Sequence, residues 1–375
     1  MKTRYRILWG VVALAVLLAA ACMIYLSHDA PCGSPPARAA GTTPMRAAMY
    51  RCYGGPEVLH VETIARPAPP DDGVLVRIRA ASVNPLDWHY MRGMPYILRI
   101  DAGAGAPKDP ALGVDFAGTV EAVGRNVTRF KPGDAVFGGR TGAFAEYLTV
   151  RESRAIAPIP GNVSFEQAAA VPIAGLTALQ ALRDKGHLRP GQKVLINGAS
   201  GGVGTFAVQI AKALGAHVTG VCSTRNVELV RALGADEVID YTKDDFTRRA
   251  AQFDLIVDMV SSHSLRATLR ALQPDGALVI VGSNDTGHFL GPLKRNLRAM
   301  LLAPFVSQRI EPLLAQLDAQ DLDYLAGLMR AGKVTPVIDR RFTLDQVAQA
   351  VGYVEAGRAR GKVVVTIDAG VPEGS

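Results

Sequence analysis

Small residues cluster at one point in the middle of the chain. The run Gly198-Ala199-Ser200-Gly201-Gly202-Val203-Gly204 stands between a predicted buried strand, residues 193–197, and a predicted helix, residues 203–214. Read from Ala199, it has the spacing A-x-G-x-x-G, one methyl group away from the dinucleotide fingerprint. Small residues at this spacing let backbone N–H groups approach a pyrophosphate at the positive end of a helix. The place of the run, after a strand and before a helix, predicts a dinucleotide site rather than a structural turn.

The end of the next predicted strand, residues 217–222, bears on which dinucleotide is bound. NAD sites usually carry a carboxylate near this point, but no acidic residue occurs between residues 204 and 228. Ser223 and Arg225 stand there instead and are suited to bind a 2′-phosphate. The sequence therefore predicts NADPH rather than NADH. The alternative is that Ser223 or Thr224 only caps the next helix while Arg225 is solvated surface.

Strands and helices alternate through residues 192–282, which indicates an α/β domain with a parallel sheet. Apolar residues recur at helical spacing between residues 203 and 214, and Gly215 ends that helix. The further predicted helices are residues 227–233 and 264–272. The further predicted strands are residues 237–239, 253–257 and 277–281, the last after a turn at Pro274-Asp275-Gly276.

Residues 45–165 have a different character, with short strands, many Gly and Pro, and period-2 runs such as residues 74–80. This pattern is typical of an all-β, partly open barrel. It contains the motifs Ser82-Val83-Asn84-Pro85-Leu86-Asp87, Leu112-Gly113-Val114-Asp115-Phe116-Ala117-Gly118 and Phe130-Lys131-Pro132-Gly133-Asp134-Ala135-Val136-Phe137-Gly138. With the glycine-rich turn, these motifs resemble the zinc-independent quinone oxidoreductase branch of the medium-chain dehydrogenase/reductase superfamily. The resemblance covers about residues 45–368.

The resemblance implies a GroES-like catalytic barrel that is interrupted by a Rossmann domain with a doubly wound parallel sheet. The expected bounds are 45–168 for the barrel, 169–304 for the NADPH-binding domain and 305–368 for the return to the barrel. It also implies a homodimer formed through an edge strand of the Rossmann sheet. Residues 308–314 are the candidate, because Pro312 fits an edge strand better than a central one.

The differences from zinc-dependent relatives indicate the chemistry. Asn84 stands where those enzymes place a metal-binding cysteine, and Val114-Asp115 where they place a histidine, and their four-cysteine lobe is missing. We expect no metal, because zinc sites of this kind need thiolate or imidazole ligands. His89, between Trp88 and Tyr90, is expected to be structural.

Without a metal, the natural hydride acceptors are quinones and α,β-unsaturated carbonyls, since their charge moves to an oxygen that hydrogen-bond donors can stabilise. The resemblance places the loop after Asn84 beside the nicotinamide. We therefore expect Tyr96 and Tyr90 to be the donors and Asn84 to orient the carboxamide or substrate. Asp87 and Arg92 are expected to form a structural ion pair.

Other cofactor-binding positions also follow from the resemblance. Thr177 is expected near the nicotinamide ribose, and Tyr241 and Gly282 along the cofactor groove. The predicted cofactor-binding set is Thr177, Ala199, Ser200, Gly201, Gly202, Val203, Gly204, Ser223, Arg225, Tyr241 and Gly282.

Two other functions remain open on the sequence. One is an NADP-dependent alcohol or carbonyl reductase. The other is a membrane-tethered NADPH-binding scaffold without activity.

The first 44 residues form a separate segment. No charged residue occurs from Ile7 to Leu26, and as a helix this run would span about 30 Å, the thickness of a bilayer core. Three basic residues precede it and a Pro/Gly/Ala-rich linker follows. We expect a single-pass N-terminal membrane anchor over residues 7–26. A cleaved signal peptide and a start at Met45 are the alternatives.

The side of the membrane is left open by this segment. The positive-inside rule places the main domain outside, whereas NADPH is a cytosolic cofactor.

Composition excludes several other classes. The 375 residues carry a net charge of +7, of which the first 44 residues contribute +3 from four basic residues and one acidic residue. No basic stripe with interleaved aromatic residues occurs, so nucleic-acid binding has little support. The four cysteines, at positions 22, 32, 52 and 222, show no CxxC or Cys/His ligand spacing. We therefore expect neither a disulfide framework nor a structural zinc site.

Overall fold

The computed structural model describes residues 2–36, 41–283, 287–291 and 293–367. The chain folds into a β-barrel domain and a Rossmann domain. The α-helices are α1 Lys2–Ser27, α2 Pro85–Arg92, α3 Arg99–Ala102, α4 Phe165–Ala169, α5 Pro172–Gln180, α6 Gly202–Ala213, α7 Val227–Ala232, α8 Leu265–Arg270, α9 Leu293–Leu302, α10 Ala319–Arg330 and α11 Val347–Glu355.

The barrel domain is built from strands at both ends of the chain, which pair antiparallel except for the last two, which pair in parallel. Its strands are β1 Pro44–Tyr50, β2 Leu59–Ala65, β3 Gly73–Val83, β4 Asp115–Val123, β5 Ala135–Gly139, β6 Tyr147–Arg151 and β7 Ile156–Pro158. Strands β1 and β2 form a two-stranded sheet, and β3 to β7 form a second sheet that the two C-terminal strands of the chain complete beside β3. Alternating apolar residues along β3 and β4 fill the barrel, and Ile78 and Phe116 are fully buried there.

The Rossmann domain contains a six-stranded parallel sheet. Its strands are β8 Lys193–Asn197, β9 His217–Cys222, β10 Glu237–Asp240, β11 Phe253–Asp258, β12 Leu272–Ile280 and β13 Arg309–Pro312. The remaining strands, β14 Ile338–Thr343 and β15 Lys362–Thr366, complete the barrel sheet. The spatial order is β10-β9-β8-β11-β12-β13. The order reverses between β8 and β11, and a crevice opens there at the carboxyl ends of the strands.

The predicted strands and helices between residues 193 and 281 are confirmed in type and order, but the turn predicted at Pro274-Asp275-Gly276 is wrong, because these residues lie within strand β12. They are recognisable in the sequence because parallel strands buried on both faces are continuous apolar runs. Val194, Ile196 and Val257 are fully buried on the α6 side of the sheet, and Leu195 and Ile256 on the α8 side.

The predicted domain boundary at residue 304 is too early. Strand β13, residues 309–312, pairs with β12 and belongs to the six-stranded sheet. It is the last strand on that side, so Pro312 occupies the edge position that its missing N–H group requires.

The membrane anchor predicted over residues 7–26 is not supported. Helix α1 covers this run, but among the helices of the described residues none combines the length and apolarity that crossing a bilayer requires.

The structure contains one disulfide bond that the cysteine spacing did not predict. Cys32 and Cys52 form a disulfide with a Cα–Cα distance of 4.6 Å. It joins the segment after α1 to the first turn after β1, so the expectation that the cysteines are not used for disulfides is wrong for this pair. Cys222 is a free, buried thiol.

Candidate active site at the domain interface

The glycine-rich turn lies at the crevice, between β8 and α6, as predicted from its spacing. Gly198 has a φ of +94°, which only glycine adopts without strain. A Cβ on Gly204 would overlap the carbonyl oxygen of Gly198, so helix and strand can approach closely only with glycine there. A Cβ on Gly201 would meet only the Gly198 carbonyl oxygen, at 3.4 Å, so this backbone is open to a ligand. The first-turn N–H groups of α6 have no helical acceptor and suit a pyrophosphate.

Polar side chains gather at the end of β9. Asn226 is buried and its amide nitrogen lies 2.9 Å from Ser200 Oγ and 3.3 Å from Ser223 Oγ. The side chain of Asn226 therefore fixes Ser223 against the glycine-rich turn. Neither Ser223 nor Thr224 caps a helix through its side chain, which leaves the Ser223 hydroxyl available to a ligand.

Arg225 is exposed beside this point and lies next to residues from the C-terminal part of the barrel. Its Nη2 atom donates to the carbonyl oxygen of Arg358 at 3.3 Å, and Arg360 donates to the carbonyl oxygen of Arg225 at 3.4 Å. Arg358 and Arg360 were not singled out in the sequence, because they lie more than 130 residues away from Arg225. Together the three arginines make this end of the crevice strongly basic.

A carboxylate also lies near this end, at the end of β10. Asp240 accepts hydrogen bonds from the hydroxyls of Thr224, at 2.6 Å, and Thr242, at 2.8 Å. The bond from Thr224 is the main reason that the pKa of Asp240 is lowered to about 2. Tyr241, the next residue, is 59% exposed beside it.

The carboxyl ends of β8 and β11 are joined by buried side chains. Asn197 donates to Asp258 at 2.8 Å, and Arg295 of α9 pairs with the other oxygen of Asp258 at 2.8 Å. The loops after β11 and β12 are also joined, because Ser261 Oγ donates to the carbonyl oxygen of Gly282 at 2.7 Å. Gly282 thus lies in a loop held firmly at the crevice.

Asn84 lies at the N-terminus of α2 within a buried polar network. Its amide nitrogen donates to Asp115 at 2.9 Å, and its Oδ1 accepts from Lys362 Nζ at 2.6 Å. Lys362 Nζ also lies 3.4 Å from Asp115, and Ser82 donates to the same carboxylate at 2.9 Å. Burial lowers the pKa of Lys362. These side chains are nearly inaccessible to solvent.

This network connects the two domains. The other oxygen of Asp115 accepts from the backbone N–H of Ile173, in the first turn of α5, at 3.0 Å. The aliphatic stem of Lys362 packs against Gly202: a Cβ added to this glycine would lie 3.3 Å from Lys362 Cδ. The backbone N–H of Gly361 also donates to the carbonyl oxygen of Ser200 at 3.0 Å. The last strand of the barrel therefore packs directly on the glycine-rich turn.

Asp87 is buried but does not pair with Arg92, so that expectation is wrong. Arg92 forms a two-bond ion pair with Glu355 of α11, at 2.7 and 3.0 Å, while Asp87 accepts from the backbone N–H of Asn84 at 2.7 Å. Residues five apart on a helix do not share a face. Burial raises the pKa of Asp87 to about 7.

Tyr96 lies where the two domains meet. Its backbone N–H donates to the carbonyl oxygen of His288 at 2.7 Å, and its ring contacts Phe289 edge to face, with 5.3 Å between centroids. His288 and Phe289 follow β12 in the Rossmann domain. Tyr96 is half-buried at this junction.

Two other predicted site residues have contacts within the described structure. Tyr90, on α2, packs against the barrel core with Tyr50 and Tyr53. The hydroxyl of Thr177 donates to the carbonyl oxygen of Ile173, one turn earlier in α5, at 2.6 Å. His89 stacks on Trp88, and its Nδ1 lies 2.8 Å from the carbonyl oxygen of Met94.

Sequence reasoning missed Lys362 and the linking role of Asp115. Asp115 lies within the motif of residues 112–118, and Lys362 is the first residue of the last strand. The signal that could have found them is the presence of charged residues inside otherwise apolar strands, since buried charges need partners. Among the described residues, no group of three or more His, Cys, Asp or Glu side chains is placed to hold a metal ion.

A cavity of about 620 Å³ lies beside α8 and α9, lined by Ser261, Ser264, Arg266, Arg295 and Arg298 among others. It is basic, but neither Tyr96, Asn84 nor the glycine-rich turn lines it. The candidate chemistry therefore lies in the crevice between the domains rather than in this cavity.

Two family models match the chain. One, described as an alcohol dehydrogenase GroES-like domain, matches residues 70–161. The other, described as a zinc-binding dehydrogenase, matches residues 233–365.

Three similar proteins cover most of the chain. The chloroplastic quinone-oxidoreductase QR1 of Triphysaria versicolor is 36% identical over 340 residues, 86% of this chain and 98% of that protein. The trans-enoyl reductase pgmF of Aspergillus terreus is 36% identical over 330 residues, 79% of this chain and 87% of that protein. The structure of the quinone oxidoreductase from Coxiella burnetii superposes with a TM-score of 0.75 at 30% identity, covering 86% of this chain and 99% of that one.

Proposed function

Because the chain belongs to the zinc-independent quinone oxidoreductase branch of the medium-chain dehydrogenase/reductase superfamily, whose members bind a nicotinamide dinucleotide, we propose that it transfers hydride from NADPH to a quinone or an α,β-unsaturated carbonyl. The observation that carries the proposal is the place of Tyr96. Its backbone N–H and its ring contact His288 and Phe289, so Tyr96 stands where the barrel meets the Rossmann domain.

The glycine-rich turn fits a dinucleotide. It is open at Gly201, and the neighbouring first-turn N–H groups of α6 suit the pyrophosphate. When bound, the nicotinamide supplies a hydride equivalent. In this proposal Gly282 and Tyr96 lie at the nicotinamide end of the crevice.

The preference for NADPH is supported by charge. Ser223 offers a fixed hydroxyl, and Arg225 stands with Arg358 and Arg360 at the ribose end, where a 2′-phosphate would need cationic partners. Asp240, the nearby carboxylate, is already occupied by two threonine hydroxyls and is less free to accept from a ribose hydroxyl.

The residues have separate tasks in the proposed reaction. Tyr96 donates a hydrogen bond to the carbonyl oxygen of the acceptor, where negative charge grows as hydride arrives at carbon. Asn84 does not donate to substrate in this proposal, because its amide is held by Asp115 and Lys362; it orients α2 and the loop that carries Tyr96. The names of similar proteins support both acceptor classes, since one is a quinone oxidoreductase and another a trans-enoyl reductase.

We place the Rossmann domain between about residue 169 and Pro312, with the barrel on either side of it in the chain. We also propose a homodimer through β13, the edge strand within the candidate segment 308–314. Leu314 is 90% exposed and Phe305 is 82% exposed near this edge. Large exposed apolar side chains beside an open strand edge favour pairing with a second copy.

The test uses the purified full-length chain. NADPH and NADH are titrated separately by nicotinamide fluorescence, and a quinone, a 2-alkenal and the matching saturated aldehyde are then offered. Selective NADPH binding with reduction of the quinone or the 2-alkenal supports the proposal. Reduction of only the saturated aldehyde indicates a carbonyl reductase, and tight binding without any turnover indicates a binding protein.

A further inference from the structure

Arg99, the first residue of α3, is buried and is not among the residues given a task in the reaction proposed above. Only 2% of it is exposed. Its guanidinium lies between two tyrosine rings, with Cζ 4.2 Å from the centroid of Tyr53 and 4.6 Å from the centroid of Tyr96. The planar guanidinium suits such a stack.

The same guanidinium connects two segments of the chain, the loop that carries Tyr96 and the end of α1. Its Nε donates to the carbonyl oxygen of Gly93 at 2.8 Å, which holds the start of the loop that carries Tyr96. Its Nη1 donates to the carbonyl oxygens of Leu26 at 2.9 Å and His28 at 3.2 Å and pairs with Asp29 at 2.8 Å. All of these last acceptors lie just at or after the end of α1.

The segment after α1 is attached to this loop at further points. Ala30 donates to the carbonyl oxygen of Gly105 at 2.9 Å. Cys32 is bonded to Cys52, whose neighbour Tyr53 stacks on Arg99 and donates to the carbonyl oxygen of Gly103 at 2.6 Å. Residues 26–32 therefore enclose the outer side of the 93–105 loop, whose inner side reaches the Rossmann domain through Tyr96.

We propose that Arg99 is a positioning residue for Tyr96, and that residues 26–32, bound to Arg99 and fixed by the Cys32–Cys52 disulfide, are part of the scaffold of the active-site loop. This inference rests on the proposed function for one point, that the Tyr96 hydroxyl donates a hydrogen bond to the acceptor. A tyrosine ring stacked on a fully bonded guanidinium has few alternative rotamers, so its hydroxyl keeps one direction.

The first measurement is hydrogen exchange on the full-length protein and needs no substrate. Because the Tyr96 N–H bonds to His288, exchange in the 93–105 peptide reports whether the loop is docked. We expect about tenfold faster exchange there in Arg99→Met and in the double variant Cys32→Ser/Cys52→Ser, and a smaller increase in Asp29→Asn. The control is Asp71→Asn, which removes a similarly exposed carboxylate that pairs with Arg125. Unchanged exchange in the double cysteine variant and in Asp29→Asn overturns the proposal, even where Arg99→Met does not fold.

The second measurement separates positioning from a general structural role. In the wild-type background, Asp29→Asn and the double cysteine variant should lower kcat for the enone or quinone severalfold and leave the KM for NADPH unchanged. In a Tyr96→Phe background the same changes should have no further effect on kcat. A loss of equal size in both backgrounds overturns the positioning role. If wild-type protein turns over neither acceptor class, the proposed function fails while the exchange result still decides whether residues 26–32 hold this loop.

Discussion

The ammonium nitrogen of Lys362 lies 2.6 Å from the side-chain oxygen of Asn84. This contact joins the last strand of the barrel to the helix that leads into the Tyr96 loop. Lys362 also lies against the glycine-rich turn at Gly202. Asn84 and Asp115 therefore share one lysine cation as a partner.

Replacing Lys362 by Met should destabilise the fold strongly. The stem would remain, but Asp115 would be left as a buried carboxylate without its cation, which typically costs about 3–5 kcal/mol. Lys212→Met is the control, since Lys212 pairs with Asp236 near the surface and such pairs contribute about 0–1 kcal/mol. Chemical denaturation of both variants measures the difference. Equal losses would mean that the buried network contributes no more than a surface pair.

Asp87 should make stability depend on pH. Its pKa is raised to about 7 by burial, whereas in the unfolded chain it is near 4. Between these values the folded protein holds a proton that the unfolded chain has released. The stabilisation from this group is therefore complete below about pH 4 and is lost as the pH rises to about 7.

The measurement compares wild type with Asp87→Asn, which keeps an acceptor for the Asn84 N–H. The unfolding free energy of wild type should fall relative to that of the variant between about pH 4 and pH 7 and run parallel above about pH 8. The charged groups that influence the pKa of Asp87 are Asp115 and Lys362. Asp71→Asn is the control, because Asp71 pairs with Arg125 and its replacement removes a carboxylate outside this group. A constant difference across the range contradicts the raised pKa.

Arg225→Ala should weaken NADPH binding and leave NADH binding unchanged. Loss of a charge-assisted contact to the 2′-phosphate costs about 1.5–3 kcal/mol, or roughly 10- to 150-fold in Kd. Arg231→Ala is the matched control, because Arg231 pairs with Glu228 on the exposed side of α7. Fluorescence titration of both nucleotides decides the outcome. Equal weakening for NADH would assign Arg225 to a part of the cofactor other than the 2′-phosphate.

Tyr96→Phe should lower kcat about 10²- to 10³-fold, the usual cost of removing one donor to a developing oxyanion. NADPH affinity should not change, since only the hydroxyl is removed. Tyr90→Phe is the comparison, because Tyr90 packs against the barrel core and its removal should affect turnover little. Steady-state kinetics with a 2-alkenal measures both. The reverse ranking would make Tyr90 the donor.

Leu314→Asp should favour the monomer. A buried carboxylate at a subunit interface would have no partner, and exposed Leu314 gives no reason for the isolated chain to lose stability. Sedimentation velocity across a concentration series measures the oligomeric state, with Leu301→Asp, on the exposed face of α9, as comparison. An unchanged sedimentation coefficient in both variants would contradict a dimer contact at β13.

Local sequence determined the Rossmann half of this protein. Its strands are buried on both faces and its helices have a regular apolar period, so each element is specified by neighbouring residues. The glycine-rich turn is recognisable for the same reason, since its backbone conformation requires Gly198 and its close packing requires Gly204.

Tertiary structure decided the contacts between distant segments. Lys362 meets Asn84 across 278 residues, Arg225 meets Arg360 across 135, and Arg92 pairs with Glu355 across 263. The disulfide of Cys32 and the burial of Arg99 against the end of α1 belong to the same class. Periodicity reports only which face of an element is buried. Which charged or polar partner meets it there depends on how the barrel closes around the Rossmann domain, and that is a property of the whole chain.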